Sequence, residues 1–206
     1  MDCRALVKYY ESIIDVIKEG ESFMVGYILL GVIVVAALYG IGVFNRLVRL
    51  RNQSEESAAA IDAHLKKRYD LIPNLVETVK GYASHEKETL TQVIDARNRA
   101  MSAGTLTEKN EASNAFSATL KSLFALSESY PDLKANQSFL DLQRQLNEIE
   151  SELLHARKYY NAVIGDINTI IQSFPSNIVA SMTHFVKLPY LAIEEEARER
   201  VSVSFS

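Results

Sequence analysis

One stretch constrains the fold of this chain more than any other. Residues 23–44, FMVGYILLGVIVVAALYGIGVF, contain no charged side chain. As an α-helix this stretch would be about 33 Å long, which is sufficient to cross the hydrocarbon core of a bilayer. A cleaved signal peptide fits poorly, because the apolar run is too long and no small-residue cleavage site follows it. We therefore predict a membrane-spanning helix.

The segment before this helix is compatible with two interpretations. Residues 1–22 are charged, and apolar side chains recur among them at three- and four-residue steps, namely Leu6, Tyr10, Ile13, Ile14 and Ile17. Such a pattern is typical of an amphipathic helix that lies at the membrane interface. The alternative is a frayed tail.

Basic residues are more concentrated after the apolar run than before it. Arg46, Arg49 and Arg51 follow it directly, whereas the basic residues before it are interspersed with acids. Acids count for little in the positive-inside rule, so the bias is modest. It predicts that the N-terminus lies outside and that the following domain lies in the cytoplasm.

The first two helices after the apolar run depend on one proline. The first helix continues out of the membrane and is expected to end or kink at about Ile72, because Pro73 removes a backbone donor and clashes with the preceding turn. Since proline also suits the first turn of a helix, a second helix is predicted over residues 73–103. A break within GYASHE, residues 81–86, is the competing interpretation.

Two further helices have clearer ends. Gly104 is a good helix stop, and Thr105 with Glu108 has the spacing of a capping box, so a third helix is predicted over residues 106–130 with Pro131 ending it. The last helix should cover about 36 residues before FPSN, because its apolar residues alternate three- and four-residue steps in a coiled-coil-like seam. The seam consists of Phe139, Leu142, Leu146, Ile149, Leu153, Ala156, Tyr160, Val163, Ile167, Ile170 and Phe174.

These patterns predict an all-α fold. Amphipathic helices with short connections pack most economically as an antiparallel bundle, so we expect a transmembrane helix followed by an antiparallel four-helix bundle with long helices. The predicted domains are the extension (1–22), the transmembrane helix (23–44), the bundle (45–190) and a C-terminal tail (191–206). In the tail, VSVSFS alternates like a short strand or is a disordered end.

Polar residues around the proline are the first candidates for chemistry. Asp70, Asn74 and Glu77 stand among apolar side chains in RYDLIPNLVETVKGYA. Two carboxyl groups seven residues apart could act as an acid–base pair. The simpler interpretation is structural, with Asp70 capping the backbone amides that Pro73 frees.

Two pairs of polar residues on the last helix can each be interpreted in two ways. Glu152 and His155 have the Glu-x-x-His spacing of carboxylate-bridged metal sites, but such bundles need a second copy of the motif, which this chain lacks. We interpret them as part of a solvated face. Asn161 and Asn168 adjoin the seam and either fix helix register or bind a polar ligand.

Composition narrows the function classes. A net charge of -4 gives no electrostatic case for binding nucleic acid, and a single cysteine, Cys3, excludes an internal disulfide framework. No Gly-rich phosphate loop or Cys/His metal spacing is present. We predict no catalytic, cofactor-binding or metal-binding residues and no cofactor.

The sequence resembles the bacterial LemA family over about residues 44–190. The stretches that carry this resemblance are FNRLVRLRN, IDAHLKKRYDLIPNLVETVKGYASHEKETL, DARNRA, SESYPDLKANQSFLDLQRQL, ARKYYNAVIGDIN and SFPSNIVA. The resemblance implies a single-span anchor in the bacterial inner membrane and an antiparallel helical bundle. It brings no catalytic residue or substrate. Residues 1–22 are an extension, and Ile167-Asn168 stands where the family pattern has a second Tyr-Asn.

Three functions follow as hypotheses. In the first, the chain is a non-enzymatic scaffold that self-associates as a homo-oligomer and organises or shapes the lipid bilayer. In the second, it is an adaptor that presents a helical face to another envelope membrane protein, such as a protease or quality-control complex. The third, an enzyme or metal-binding bundle, has the least support in the sequence.

Overall fold

The computed structural model describes residues 3–193 of the chain, and their side chains from residue 26 onward. This part contains six helices and no strand. They are α1 (Cys3–Tyr82), α2 (Lys87–Ser102), α3 (Leu106–Ser127), α4 (Pro131–Lys134), α5 (Gln137–Gln172) and α6 (Ser176–Met182). The predicted all-α class is confirmed. The VSVSFS segment lies outside the described residues, so the strand suggested for it stays a prediction.

The chain divides into two compact units. The anchor unit comprises Met1–Val48 and Ile170–Val186, and the bundle unit comprises Arg49–Thr169 and Lys187–Ser206. Helices α1 and α5 each contribute to both units.

Within the bundle unit, α1 and α3 run in the same direction. Lys109 Nζ lies 2.7 Å from Asp62 Oδ2, and Arg68 Nη2 donates to Ser117 Oγ at 2.9 Å, so contacts advance along both helices together. Helix α2 connects them through the short segments 83–86 and 103–105 and must therefore run in the opposite direction.

Helix α5 is antiparallel to α1. His64 on α1 contacts Glu152 at 3.1 Å, whereas Tyr82, further along α1, accepts a hydrogen bond from Asn136, which lies just before α5. The four helices therefore alternate in direction, as the short connections predicted. One continuous core lies between them, with Phe116 fully buried and its ring packed edge-on against Tyr69 at 5.5 Å.

The predicted helix end at Pro73 is wrong. Helix α1 continues through Pro73 to Tyr82, and the break falls in residues 83–86, which was the competing interpretation. The reason is burial, because Ile72, Leu75 and Val79 are each 0% exposed on both sides of the proline. Burying each such side chain stabilises by about 1.5–3 kcal/mol, which together offsets roughly 3 kcal/mol for an internal proline.

Helix α3 is shorter than predicted at its C-terminal end. It ends at Ser127 rather than at residue 130, because Ser127 Oγ hydrogen-bonds back to the Phe124 carbonyl and the next three amides bond three residues back. Pro131 does not end a helix but begins the short α4 at its first position, where proline is favoured.

The capping box at the start of α3 is confirmed. Thr105 Oγ1 accepts from the Glu108 amide at 3.2 Å, and Glu108 Oε2 accepts from the amides of Thr105 and Gly104 at 2.9 and 3.1 Å. Those amides hold the pKa of Glu108 below its ordinary value of 4.5. The carboxylate form is therefore favoured in the folded protein.

This cap predicts a pH-dependent difference between the native chain and Glu108→Gln. Because the folded pKa is lowered, the carboxylate's contribution is present above pH 4.5 and is lost as the pH falls through the folded pKa. Thermal unfolding should show the variant melting earlier near neutral pH, with the gap closing in acid. Glu111→Gln, exposed on the same helix, is the control. A Glu108→Gln gap that is constant with pH would contradict the expectation.

Helix α5 matches the predicted length of about 36 residues, since it runs from Gln137 to Gln172. Its buried face departs from the predicted seam at two places, and the first is Phe174, which lies beyond the helix and is 82% exposed. At the second, Arg157 is buried where the seam predicted Ala156 to point inward, and Ala156 is only partly buried.

The anchor unit combines α1 with an element that the sequence did not predict. After the stop at FPSN, residues 176–182 form α6, and Phe185 beyond it packs edge-on against Phe44 of α1 at 6.5 Å. One α1 segment, within Gly26–Tyr82, is long and apolar enough to cross a membrane, and none of its most apolar window is buried. Residues 3–22 are helical too, and their position relative to a bilayer stays a prediction.

Candidate functional site

Two buried arginines form a polar cluster inside the bundle. Arg68 and Arg157 are each 3% exposed, and both donate to the same hydroxyl, Ser113 Oγ, at 3.1 and 3.0 Å. Arg68 Nη2 also donates to Ser117 Oγ at 2.9 Å and lies 2.8 Å from the Glu150 carboxylate. The cluster thereby joins α1, α3 and α5.

The surroundings stabilise the positive charge of Arg68. A guanidinium keeps its charge in proteins, so burial must be offset by close partners. Glu150 supplies a negative charge, and the Arg68 guanidinium lies over the Phe116 ring at 5.1 Å in a cation–π contact. Burial raises the pKa of the neighbouring Tyr69 above its ordinary value of 10.0, so its phenol stays neutral at physiological pH.

This cluster is built to hold helices together rather than to react. Ser113 and Ser117 are hydrogen-bonded to guanidiniums, which are not bases, so neither hydroxyl is activated as a nucleophile by these contacts. A cavity of about 200 Å³ opens beside Arg68, but Glu150 lines it and binds Arg68 itself. The chain's own carboxylate thus takes the place that an anionic ligand would occupy.

The structure does not bring the residues around Pro73 together. Asp70 pairs with Lys66 at 2.6 Å on an exposed face, so the predicted capping role of Asp70 is wrong. Glu77 lies on the surface 4.0 Å from Lys80, and Asn74 is exposed. With the helix unbroken at Pro73 there are no freed amides at a helix start to cap.

Glu152 and His155 also lie on a solvated face. Glu152 contacts His64 at 3.1 Å and Lys67 at 3.7 Å, whereas His155 is exposed. Within the described residues, no three His, Cys, Asp or Glu side chains come together in a way that would hold a metal ion.

Asn161 and Asn168 hold an extended segment of the same chain. Asn161 donates to the Leu191 carbonyl and accepts from the Leu191 amide, both at 2.8 Å. Asn168 does the same with Leu188, at 2.9 Å in each direction. Each amide side chain therefore imitates one rung of a β-ladder. Of the two predicted roles, register and ligand binding, neither describes this contact, because the bound group is the chain's own backbone.

A third asparagine continues this contact. Asn110 on α3 donates to the Ala192 carbonyl at 2.8 Å, and Leu191 is buried in the core beside it. We call residues 187–193 the strap. The three asparagines lie on α3 and α5, so the strap joins these two helices through backbone bonds that depend little on its own side chains.

Sequence reasoning missed the arginines and the strap. The sequence did contain a signal for the arginine cluster, since Arg68 lies between the apolar residues Leu65 and Ile72 of one helix stripe. On α3, Ser113 and Ser117 lie four residues apart in phase with Phe116. A charged residue within an apolar stripe together with paired hydroxyls on another indicates a buried polar cluster. The strap leaves no comparable signal.

Together the two units define a class of protein, a helical bundle whose first helix includes an exposed apolar segment of membrane-spanning length. A model described as the LemA family matches residues 57–205, and the chain belongs to that family. Protein LemA of Metamycoplasma hominis is 24% identical over 181 residues, which cover 86% of this chain and 83% of that protein.

Two further relatives carry another name. Magnetosome proteins MamQ 1 and MamQ 2 of Paramagnetospirillum magneticum are each 22% identical over 173 residues. The similarity covers 71% of this chain and 64% of each relative, so this chain spans less than two thirds of their length.

Proposed function

We propose that the protein is a membrane-anchored helical scaffold that self-associates and organises or shapes the bacterial inner membrane, without catalysis. The observation that carries the proposal concerns α1. This one helix contains both the exposed apolar segment and residues that pack in the core of the bundle. Membership of the LemA family and likeness to proteins named for the magnetosome support a membrane-associated role. None of these names refers to a reaction or substrate.

The arrangement of polar groups supports a scaffold over an enzyme. The buried charge of Arg68 pairs with the partly exposed Glu150 across two helices, and asparagine side chains hold the strap at two further places. Such contacts give a bundle one defined shape. A defined shape is what repeated contacts between identical copies require.

An exposed face of α1 is suited to such a contact. Ala59 and Ala63 lie one helical turn apart and both are exposed, so another helix can approach α1 closely there. Anchoring in a membrane raises the local concentration of copies, so weak lateral contacts suffice for assembly. The face is on the part of α1 that belongs to the bundle unit.

The mass of the full-length protein in mild detergent tests self-association. Light scattering is expected to show a discrete particle of several copies. Ala59→Arg with Ala63→Arg should shift it to monomer, since two long charged side chains prevent close approach. Ala115→Arg with Ala118→Arg, exposed on α3, is the matched control and should leave the particle intact. A native chain that is monomeric at every concentration would overturn the proposal and favour the adaptor hypothesis.

The proposal also places the bundle in the cytoplasm, on the basis of Arg46, Arg49 and Arg51 beside the apolar segment. Protease added to inside-out inner-membrane vesicles should then digest the bundle. Digestion in intact spheroplasts instead would reverse the orientation.

A further inference from the structure

The chain carries a second apolar surface beside the membrane-spanning helix. We propose that residues 170–186 form a second membrane-inserted element, which enters the bilayer without crossing it, and that lipid acyl chains fill the groove between this element and α1. The inference does not depend on self-association, because it concerns a single copy of the chain.

This element exposes several large apolar side chains, alongside polar ones such as Asn177, Ser181 and His184. Phe174 is 82% exposed, Met182 is 76% exposed and Val186 is 70% exposed. Ile178 and Met182 lie four residues apart on one face of α6, and Phe174 and Val186 flank the helix on either side. Contiguous exposed apolar surface of this kind marks contact with a membrane or a partner, and here the neighbouring helix is itself an exposed apolar one.

The charge distribution agrees with insertion. Residues 167–186 contain no Asp, Glu, Lys or Arg, and the charged residues resume at Asp166 and Lys187. Asn177 and Ser181 are exposed but uncharged. Seven residues of helix, about 10 Å, are too few to span a bilayer, so an amphipathic, uncharged segment of this length lies in one leaflet near its interface.

The depth of this element follows from its contacts with α1. A Cβ placed at Gly40 would lie 3.9 Å from Val179 Cγ2, an ordinary van der Waals distance, so α6 lies close to α1 within the charge-free segment. Gly40 precedes Phe44, the last residue of that segment, by roughly 6 Å along the axis. The element therefore lies at the level of the hydrocarbon that surrounds α1 at Gly40.

The groove has the chemistry of an acyl-chain site. Its volume is about 710 Å³, and α1 lines one wall with Ile28, Val32, Val35 and Tyr39 while Pro175 and Ile178 line the other. The α1 wall spans about 16 Å, from Ile28 to Tyr39. Since α1 crosses the bilayer in this region, hydrocarbon is the material that reaches the groove.

Both ends of α6 are closed by internal hydrogen bonds, which reduces the number of backbone groups that a lipid environment would leave unpaired. Ser176 Oγ donates to the carbonyls of Ile170 and Ser173 at 2.7 and 2.9 Å, which closes the turn from α5 into α6. At the other end the Phe185 amide donates to the Ala180 carbonyl at 3.0 Å. His184, with φ of 58°, adopts the left-handed conformation that allows this cap.

Tryptophan fluorescence in nanodiscs tests the proposal, because the chain has no native tryptophan. Three single-tryptophan variants of the full chain are compared: Phe174→Trp in the element, Tyr27→Trp in α1 and Tyr159→Trp on the exposed face of the bundle. Each is reconstituted at one copy per disc with phosphatidylcholine brominated on its acyl chains. We expect Phe174→Trp to be quenched to about the same fraction as Tyr27→Trp, with Tyr159→Trp unquenched.

Absence of quenching at Phe174→Trp, with Tyr27→Trp quenched, would overturn the proposal. As a second measurement, Met182→Cys in a Cys3→Ser background should resist a membrane-impermeant maleimide, whereas Ser151→Cys should react. Equal reaction rates at the two cysteines would also overturn it.

Discussion

Replacement of Arg68 with alanine is expected to destabilise the bundle by roughly 2–4 kcal/mol, somewhat less than removal of one partner of a fully buried ion pair, because the Glu150 carboxylate is 39% exposed. Four contacts are lost together: those with the Glu150 carboxylate, the Ser113 and Ser117 hydroxyls, and the Phe116 ring. The truncation also leaves a cavity in a close-packed core. Urea unfolding in mild detergent, followed by far-ultraviolet circular dichroism, measures the loss.

Two variants give this prediction its controls. Arg144→Ala removes an exposed arginine that pairs with Asp141 and should change stability by less than about 0.5 kcal/mol. Arg68→Met keeps most of the side-chain volume and should lose less than Arg68→Ala, which separates the cavity from the charge. A loss below about 1 kcal/mol for Arg68→Ala would show that the cluster does not hold the helices together.

Replacement of Asn161 and Asn168 with alanine is expected to release the strap. Each asparagine makes two hydrogen bonds with the backbone of residues 188–191, and each bond contributes about 0.5–1.5 kcal/mol. Loss of one pair of bonds should therefore cost roughly 1–3 kcal/mol, and the amides of Leu188 and Leu191 should exchange roughly 5- to 150-fold faster with deuterium. The double variant should lose protection at both amides.

The control for the strap is Asn147→Ala, an exposed asparagine on the same helix. It should leave exchange at Leu188 and Leu191 unchanged. If the Asn161→Ala and Asn168→Ala variants also leave exchange unchanged, the burial of Leu191 holds the strap and the asparagine bonds do not.

Local signals in the sequence were sufficient to predict several elements of the fold. Thr105 and Glu108 form the predicted cap because both partners lie within one turn of the helix that they begin. The length of α5 followed from a seam that repeats without interruption, and the all-α class followed from the same periodicity. Such features depend on residues only a few positions away in the chain. They can therefore be predicted from the sequence alone.

The predicted helix end at Pro73 failed because it weighed a local effect alone, whereas the kink offered beside it stays a prediction. Proline disfavours a helix interior by an amount that does not depend on the fold, but Leu75 and Val79 on its far side are buried by helices distant in sequence. The same holds for Arg157, whose charge predicts a surface position and whose burial depends on Ser113, 44 residues away. Tertiary packing thus overrode both local preferences.

The sequence by itself determined that this protein has a helix of membrane-spanning length and a helical bundle, because composition and periodicity act over short distances. Only the tertiary structure decided which charges are buried, where residues 187–193 bind and how α6 lies against α1. Those outcomes depend on groups that are distant along the chain, such as Asn168 with Leu188 or Gly40 with Val179. Their contacts exist only once the chain has folded, because folding is what brings them within bonding distance.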